Sequence, residues 1–157
     1  MAHHNLDALD HKILTMISSN ARIAFLEVAR ACDVSGAAIH QRVQKLVNQG
    51  VIQGSQFILD PLAIGLQTCA FVSLYLKDPS QFQQVADALR MIPEVVECYH
   101  TTGQQDLFIK IYAKSNHDLM NINHDKLQPL GLERTDTMIA YKEEFKHQMP
   151  IPEPEDD

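Results

Sequence analysis

The chain has 157 residues, 45% of them hydrophobic, and a formal net charge of -7. This length gives one ordinary domain or two small ones with a packed core. The acidic balance argues against a simple cationic nucleic-acid binder, and no apolar run approaches the roughly 20 residues that a membrane span needs. Three scattered cysteines fit neither a disulfide framework nor a metal site. The first ten residues do not resemble a signal peptide, so we expect a reducing, cytoplasmic location and no membrane partner.

Charge is distributed unevenly along the chain. Residues 1–60 carry five cations and five anions, whereas the remainder carries eight cations and fifteen anions. A neutral first part and an acidic second part predict two modules with different partners.

Three short helices are predicted in the first module, residues 1–50. Asp7 or Asp10 caps the first helix, Ser35 caps the third, and Gly50 closes it. The tight connection Asp33-Val34-Ser35 between the second and third helices predicts a helix-turn-helix, in a winged-helix-like domain. Residues 51–66 are interpreted as an extended linker.

The second module, residues 67–148, changes to the alternating pattern of strands. Its predicted order is β-α-β-β-α-β, the ferredoxin-like arrangement, so the fold class is α+β. The predicted strands read TCAFVSLYLK, VVECYHTT, DLFIKIYAK and RTDTMIAYKEEF. Residues 149–157 are proline-rich and acidic, and we expect a disordered tail.

The exposed face of the third helix is the candidate surface for double-stranded DNA. A helical wheel buries Ile39, Val43, Leu46 and Val47, and the N-terminal part of such a helix enters the major groove. Small residues there permit close approach, Gln41 can pair with adenine, His40 can donate to an acceptor edge, and cations suit phosphates. The candidate DNA-binding residues are Ser35, Gly36, Ala37, Ala38, His40, Gln41, Arg42 and Lys45.

The neutral charge of this module predicts weak DNA binding by one copy, since few phosphates are neutralised. A structural module that binds no nucleic acid is the alternative. Useful affinity requires two or more linked copies, because effective concentration then multiplies weak contacts.

The chain resembles the Lrp/AsnC, or feast/famine, transcription regulators over roughly residues 6–147. The matching features are the VS turn, RVQKL, GVI and LDP..IG in the first module, and TGQQDL and RTDTMIAY in the second. The resemblance implies a helix-turn-helix head, a strand linker and an αβ-sandwich that senses a ligand. It also implies homodimers through the sandwich sheets, often assembled into octamers, and a response to a free amino acid.

The resemblance places the effector in an interface between dimers. The turn TTGQQD offers hydroxyl, amide and carboxylate groups for a free amino acid, and two threonines lie two residues apart on the last strand. The candidate effector residues are Thr101, Thr102, Gly103, Gln104, Gln105, Asp106, Thr135 and Thr137. Gly103 and Asp106 are equally what a tight hairpin uses. Gln105 stands where the family often has an aromatic residue, which leaves the ligand's identity open.

Two other functions remain open at this point. One is a nucleoid-organising protein without an effector, which would read DNA shape loosely. The other is an enzyme, because some tetrapyrrole decarboxylases resemble the family; the second module has only Arg90 and Arg134 as arginines for a polycarboxylate. No catalytic constellation is found, no histidine pairs at metal-ligand spacing, and no cofactor is expected other than the amino acid.

Overall fold

The computed structural model describes residues 4–154. The chain divides into two compact units. One consists of the chain up to Ile58 with the segment that begins at Phe145, and the other runs from Leu59 to Glu144. The first division lies inside the predicted linker, and the second falls four residues before the predicted end of the second module at position 148. Residues 53–60, which span the first division, form no helix or strand.

Three helices build the first unit: α1 (Ala8–Ser19), α2 (Phe25–Cys32) and α3 (Gly36–Asn48). Their core is Ile13, Val28, Ala29 and Ile39, all at most 2% exposed. Both Asp7 and Asp10 serve the start of α1, because Asp7 caps the helix and Asp10 completes a capping box. The predicted three-residue connection between α2 and α3 is confirmed.

The connection is shaped by a left-handed residue at its first position. Asp33 has φ 53° and ends α2, and the amide of Val34 donates to the carbonyl of Ala29 at 3.1 Å. Ser35 then caps α3 as predicted. One part of the wheel was wrong: Val47 is 44% exposed, because α2 and α1 cover only the side of α3 that carries Ile39.

The second unit is a four-stranded antiparallel sheet of order β2-β3-β1-β4. Its strands are β1 (Thr68–Leu76), β2 (Val95–His100), β3 (Leu107–Ala113) and β4 (Leu132–Ile139). β1 lies between β3 and β4, as is typical of a strand whose sequence, TCAFVSLYLK, is apolar on both faces. β4 begins two residues before the predicted RTDTMIAYKEEF strand and ends six residues before it does, since pairing with β1 stops at Ile139. The ferredoxin-like topology is confirmed.

Helices cover one face of this sheet. α4 (Phe82–Arg90) follows a 3₁₀ turn at Pro79–Gln81, and α5 (Asn116–Ile122) begins at its cap Ser115. The apolar spacing of Leu119, Ile122, Leu127 and Leu130 predicts one continuous helix up to Gly131. This prediction is wrong, because a π-helical turn (Asn123–Leu127) and a 3₁₀ turn (Gln128–Leu130) follow α5. The π turn keeps both Ile122 and Leu127 in the core, five residues apart.

The last residues form no regular structure as far as the structure describes them. Residues 141–154 contain no helix or strand, and residues 155–157 of the predicted disordered tail lie outside the described residues. Disorder of the tail stays a prediction. None of the helices in residues 4–154 is long and apolar enough to cross a membrane.

Candidate nucleic-acid interface and effector turn

The start of α3 presents backbone rather than side chains. The hydroxyl of Ser35 accepts from the amide of Ala38 at 3.1 Å, which leaves the amides of Gly36 and Ala37 at the open helix end. A Cβ placed on Gly36 would meet nothing within 4 Å. This end of the helix is therefore open to a phosphate or a base edge, as the sequence predicted.

The exposed face of α3 is rich in amides. Gln41, Gln44, Lys45 and Asn48 are exposed, and the Gln44 side chain donates to Asn48 Oδ1 at 3.0 Å. These residues line a shallow open depression together with His40 and Gln49. Gln44 and Asn48 were absent from the predicted site, although the wheel places them beside Gln41. Amides of this kind can read donor and acceptor atoms on base edges.

His40 lies at the side of this face, against α2. Its ring meets that of Phe25 edge to face, with centroids 4.6 Å apart. The contact restricts the imidazole orientation while leaving the residue exposed.

Arg42, which the sequence predicts as a phosphate ligand, is already paired with carboxylates at the start of α1. Its guanidinium lies within salt-bridge distance of two carboxylates, Asp7 and Asp10, with Asp10 Oδ1 at 3.0 Å. The hydrogen bonds that Arg42 donates to Asp7 and, second in effect, to Asp10 raise the pKa of Arg42 above its usual value. Burial acts to raise the pKa of Asp7, but the Asp10 amide and Arg42 outweigh it and hold that pKa below its usual value.

Other cations of the first unit are also engaged. The Lys12 ammonium donates to the carbonyl of Ala31 at the end of α2, and the Arg22 guanidinium lies 5.1 Å from the Phe57 ring centroid. Within residues 4–58, the side chains of Arg30 and Lys45 alone among the lysines and arginines take part in none of the ion pairs, hydrogen bonds or ring contacts. Lys45 is therefore the one cation on α3 without an internal partner in this described segment.

The predicted effector turn is closed by its own side chains. The Gln105 amide donates to the Thr101 hydroxyl at 3.1 Å and to the Thr102 carbonyl at 3.3 Å. Gly103 has φ 105°, a backbone that favours glycine. Gln105 thus folds over the turn, whereas Thr102 and Gln104 are exposed.

Asp106 joins this turn to the central strand. Its carboxylate accepts from the amide of Leu76 at 2.8 Å, and its own amide donates to the carbonyl of Leu74 at 2.9 Å. The residue is half-buried. Asp106 therefore has a structural role in the turn. Within the described residues its carboxylate accepts one hydrogen bond, through one of its two oxygens.

The two threonines of β4 lie across the central strand from the turn. Thr135 and Leu107 both pair with Leu74, on opposite sides of β1, and Thr137 pairs with Val72 one step further into the sheet. Neighbouring strands are about 4.8 Å apart, so the backbones of Leu107 and Thr135 are about 10 Å apart. One chain therefore places the two predicted groups at the same end of the sheet without bringing them into contact.

The sheet face opposite α4 and α5 carries a row of aromatic residues, here called the open sheet face. Phe71 stacks on Phe108 with ring centroids 5.9 Å apart. Lys110 lies between Phe71 and Tyr112, 3.7 Å from a carboxylate oxygen of Glu97. Tyr75 continues the row, beneath Arg134 at 4.0 Å. Such a contiguous apolar surface is typical of a protein–protein interface.

Asp7 and Asp10 are the site residues that sequence reasoning missed. Their role in starting α1 was visible from their spacing. Their contact with Arg42 joins positions 32 and 35 residues apart, and the sequence contains no local signal for such a pairing.

Family models match both units of the chain. A model of the Lrp/AsnC ligand binding domain matches residues 69–150, and a model of winged helix-turn-helix DNA-binding domains matches residues 6–53. The chain is 34% identical to regulatory protein AsnC of Haemophilus influenzae over 138 residues, which covers 87% of this chain and 92% of that protein. It is 32% identical to the transcriptional regulator Ptr1 of Methanocaldococcus jannaschii, with 93% and 99% covered.

Solved structures agree with these matches. E. coli AsnC superposes with a TM-score of 0.87 at 30% identity, covering 93% of this chain and 99% of that one. A feast or famine regulatory protein from M. tuberculosis complexed with L-methionine superposes with a TM-score of 0.88 at 26% identity, with the same coverage. The relatives are named as regulators rather than enzymes, which sets the decarboxylase alternative aside. The chain belongs to the Lrp/AsnC family of DNA-binding transcriptional regulators.

Proposed function

We propose that several copies of this chain bind one duplex together through α3, and that a free amino acid bound near the turn at residues 101–106 modulates this assembly. The observation that carries the proposal is the amide-rich face of α3 with Lys45 as its single cation without an internal partner among the described residues of the first unit. Such a face can read bases but neutralises few phosphates, so one copy binds weakly.

The open sheet face supports the step from one copy to several. Phe71, Phe108 and Tyr112 lie on one surface of the sheet, and none of the helices within residues 59–144 covers it. Homodimers through this face, assembled further into octamers, would give each α3 a high effective concentration beside the duplex.

The separation of the turn from Thr135 and Thr137 supports an effector site completed by a second copy. The turn and the two threonines of one chain are not in contact, so groups from a second copy would enclose a small ligand between them better than one chain does. The M. tuberculosis relative complexed with L-methionine supports an amino acid as the ligand class. The second oxygen of Asp106, or exposed groups such as Thr102 and Gln104, are candidate partners for it.

Thermal-shift screening of the twenty amino acids tests the effector. A ligand at a hundred times its dissociation constant stabilises by about 2.7 kcal/mol, which raises the midpoint by about 5 to 10 °C for a chain of this size. Any hit is then added during sizing of the assembly, where a change of size is expected. If no amino acid shifts either quantity, the effector role is wrong, and the protein organises DNA without one.

Replacement of Gln41 by alanine is expected to relax base preference at one position of each half-site by about tenfold, because its amide is exposed on the face of α3. The check is selection of bound duplexes from a random-sequence pool with the wild type and the variant. Gln84→Ala, the same change at an exposed position of α4 in the second unit, is the matched control. An unchanged selected sequence would remove Gln41 from base reading.

Replacement of Lys45 by alanine is expected to weaken all duplexes similarly. The dependence of log affinity on log salt should fall by about 1 for each head that contacts the duplex, because one phosphate contact is lost. Titrations over a series of salt concentrations measure this, with Lys114→Ala in the second unit as the charge-matched control. A loss confined to one sequence would contradict a phosphate role.

A further inference from the structure

The cluster of Asp7, Asp10 and Arg42 uses every oxygen of its two carboxylates. Asp7 Oδ1 accepts from the amide of Asp10 at 2.8 Å, and Asp10 Oδ2 accepts from the amide of Asp7 at 3.3 Å. The remaining oxygens, Asp7 Oδ2 and Asp10 Oδ1, both contact the same terminal nitrogen of Arg42. The carboxylates that begin α1 therefore also bind the middle of α3.

Burial makes this contact important for the position of α3. The Asp10 side chain is 3% exposed and that of Arg42 is 31% exposed. A buried carboxylate without its cation is strongly unfavourable, so α1 and α3 are favoured in the one arrangement that keeps Arg42 on Asp10. This contact adds to the apolar packing of Ile13 and Ile39 in the core of the unit.

We propose that Asp7, Asp10 and Arg42 act as positioning residues for DNA recognition, holding α3 at the angle at which its exposed face meets the duplex. Arg42 acts through the two carboxylates and contacts no phosphate. The inference rests on DNA binding through α3.

A positioning role and a direct electrostatic effect on the phosphates predict opposite changes in DNA affinity when Asp7 or Asp10 is neutralised. Neutralising an acidic residue close to DNA removes repulsion from the phosphates and ordinarily tightens binding. If Asp7 and Asp10 position α3, their neutralisation weakens binding instead. Removing Arg42 lowers affinity in both cases, but only a phosphate contact changes the salt dependence.

The test uses the full chain and the duplex that the wild type selects from a random-sequence pool. Asp10→Asn and Arg42→Gln are each expected to weaken binding about tenfold, the equivalent of one charge-assisted hydrogen bond, with the salt dependence unchanged. Asp7→Asn is expected to weaken it several-fold, since asparagine caps a helix as well as aspartate does, while the negative charge that faces Arg42 is lost. The control Glu27→Gln removes an acid from the first turn of α2 and is expected to leave affinity unchanged or slightly higher.

A double variant tests whether the residues act as one unit. Asp10→Asn with Arg42→Gln should lose no more affinity than Arg42→Gln alone, because both changes remove the same contact. Additive losses would overturn the proposal. Tighter binding by Asp7→Asn, or a salt dependence that falls by about 0.9 per head in Arg42→Gln, would overturn it as well.

Hydrogen exchange measured without DNA tests the contact of Asp7 and Asp10 with Arg42 independently of the function proposed for α3. In Asp7→Asn, which keeps the helix cap, amides at the start of α1 and in the middle of α3 should exchange several-fold faster than in the wild type. Unchanged exchange would refute the cluster even where DNA binds. A wild type that binds no duplex would instead refute the function proposed for α3.

Discussion

Replacement of Phe71 by arginine is expected to convert the assembly to monomers and to weaken DNA binding by about a hundredfold or more. Phe71 lies at the centre of the open sheet face, stacked on Phe108 and close to Lys110. In a homodimer through this face, the new arginine of one copy would lie close to that of the other copy, and both positive charges would lose their contact with water. Loss of the second copy removes the effective concentration on which binding depends. Light scattering measures the size of the assembly, and duplex titration measures the affinity.

The matched control adds the same charge to another surface of the second unit. Met120 is 59% exposed on α5, away from the open sheet face, and Met120→Arg should change neither size nor affinity. If Phe71→Arg keeps the size and the affinity of the wild type, copies meet through another surface. If it becomes monomeric and keeps the affinity of the wild type, the account of binding by several weak heads fails.

Asp106→Ala and Asp106→Asn are both expected to abolish the amino-acid response, and only the alanine variant is expected to lose stability as well. Asp106→Ala leaves the half-buried amide of Leu76 without its acceptor and should cost about 1 to 3 kcal/mol of unfolding free energy. Asp106→Asn keeps an oxygen for that amide, so its stability should stay close to that of the wild type. It removes the negative charge that an ammonium group would need.

Comparison of the two variants assigns the role of the residue. Thermal midpoints with and without the amino acid found by screening are measured for both. Loss of the ligand shift in both variants, with a lower ligand-free midpoint for alanine only, supports both roles of Asp106. A full ligand shift in Asp106→Asn would leave the residue a structural function alone.

Local signals predicted most of the fold because each acts within a few residues. The cap at Ser35, the glycine after α3, and the apolar run of β1 all depend on neighbours along the chain. The helix wheel also placed Gln41 on the exposed face. It failed at Val47, because the wheel describes a face of α3 but not how far its neighbours cover that face.

The elements that sequence reasoning missed depend on contacts distant in the chain or on small changes in period. A π turn at Asn123–Leu127 leaves the apolar pattern almost unchanged, so a regular helix fitted equally well. β4 ends at Ile139 because its pairing with β1 stops there, and no local signal in the sequence marks that point. The guanidinium of Arg42 is chemically suited to a phosphate, and its contacts with Asp7 and Asp10 form only when the chain folds.

The attachment of the 101–106 turn to β1 has a mechanical consequence. Asp106 forms hydrogen bonds with the β1 backbone on either side of Tyr75, at Leu74 and Leu76, and the Tyr75 side chain lies on the open sheet face beneath Arg134. A ligand that displaced the turn would therefore disturb the strand segment that presents Tyr75 on the face where copies would meet. Control of transcription by this route would change which oligomers exist, and no signal would need to travel along the chain to the recognition helix.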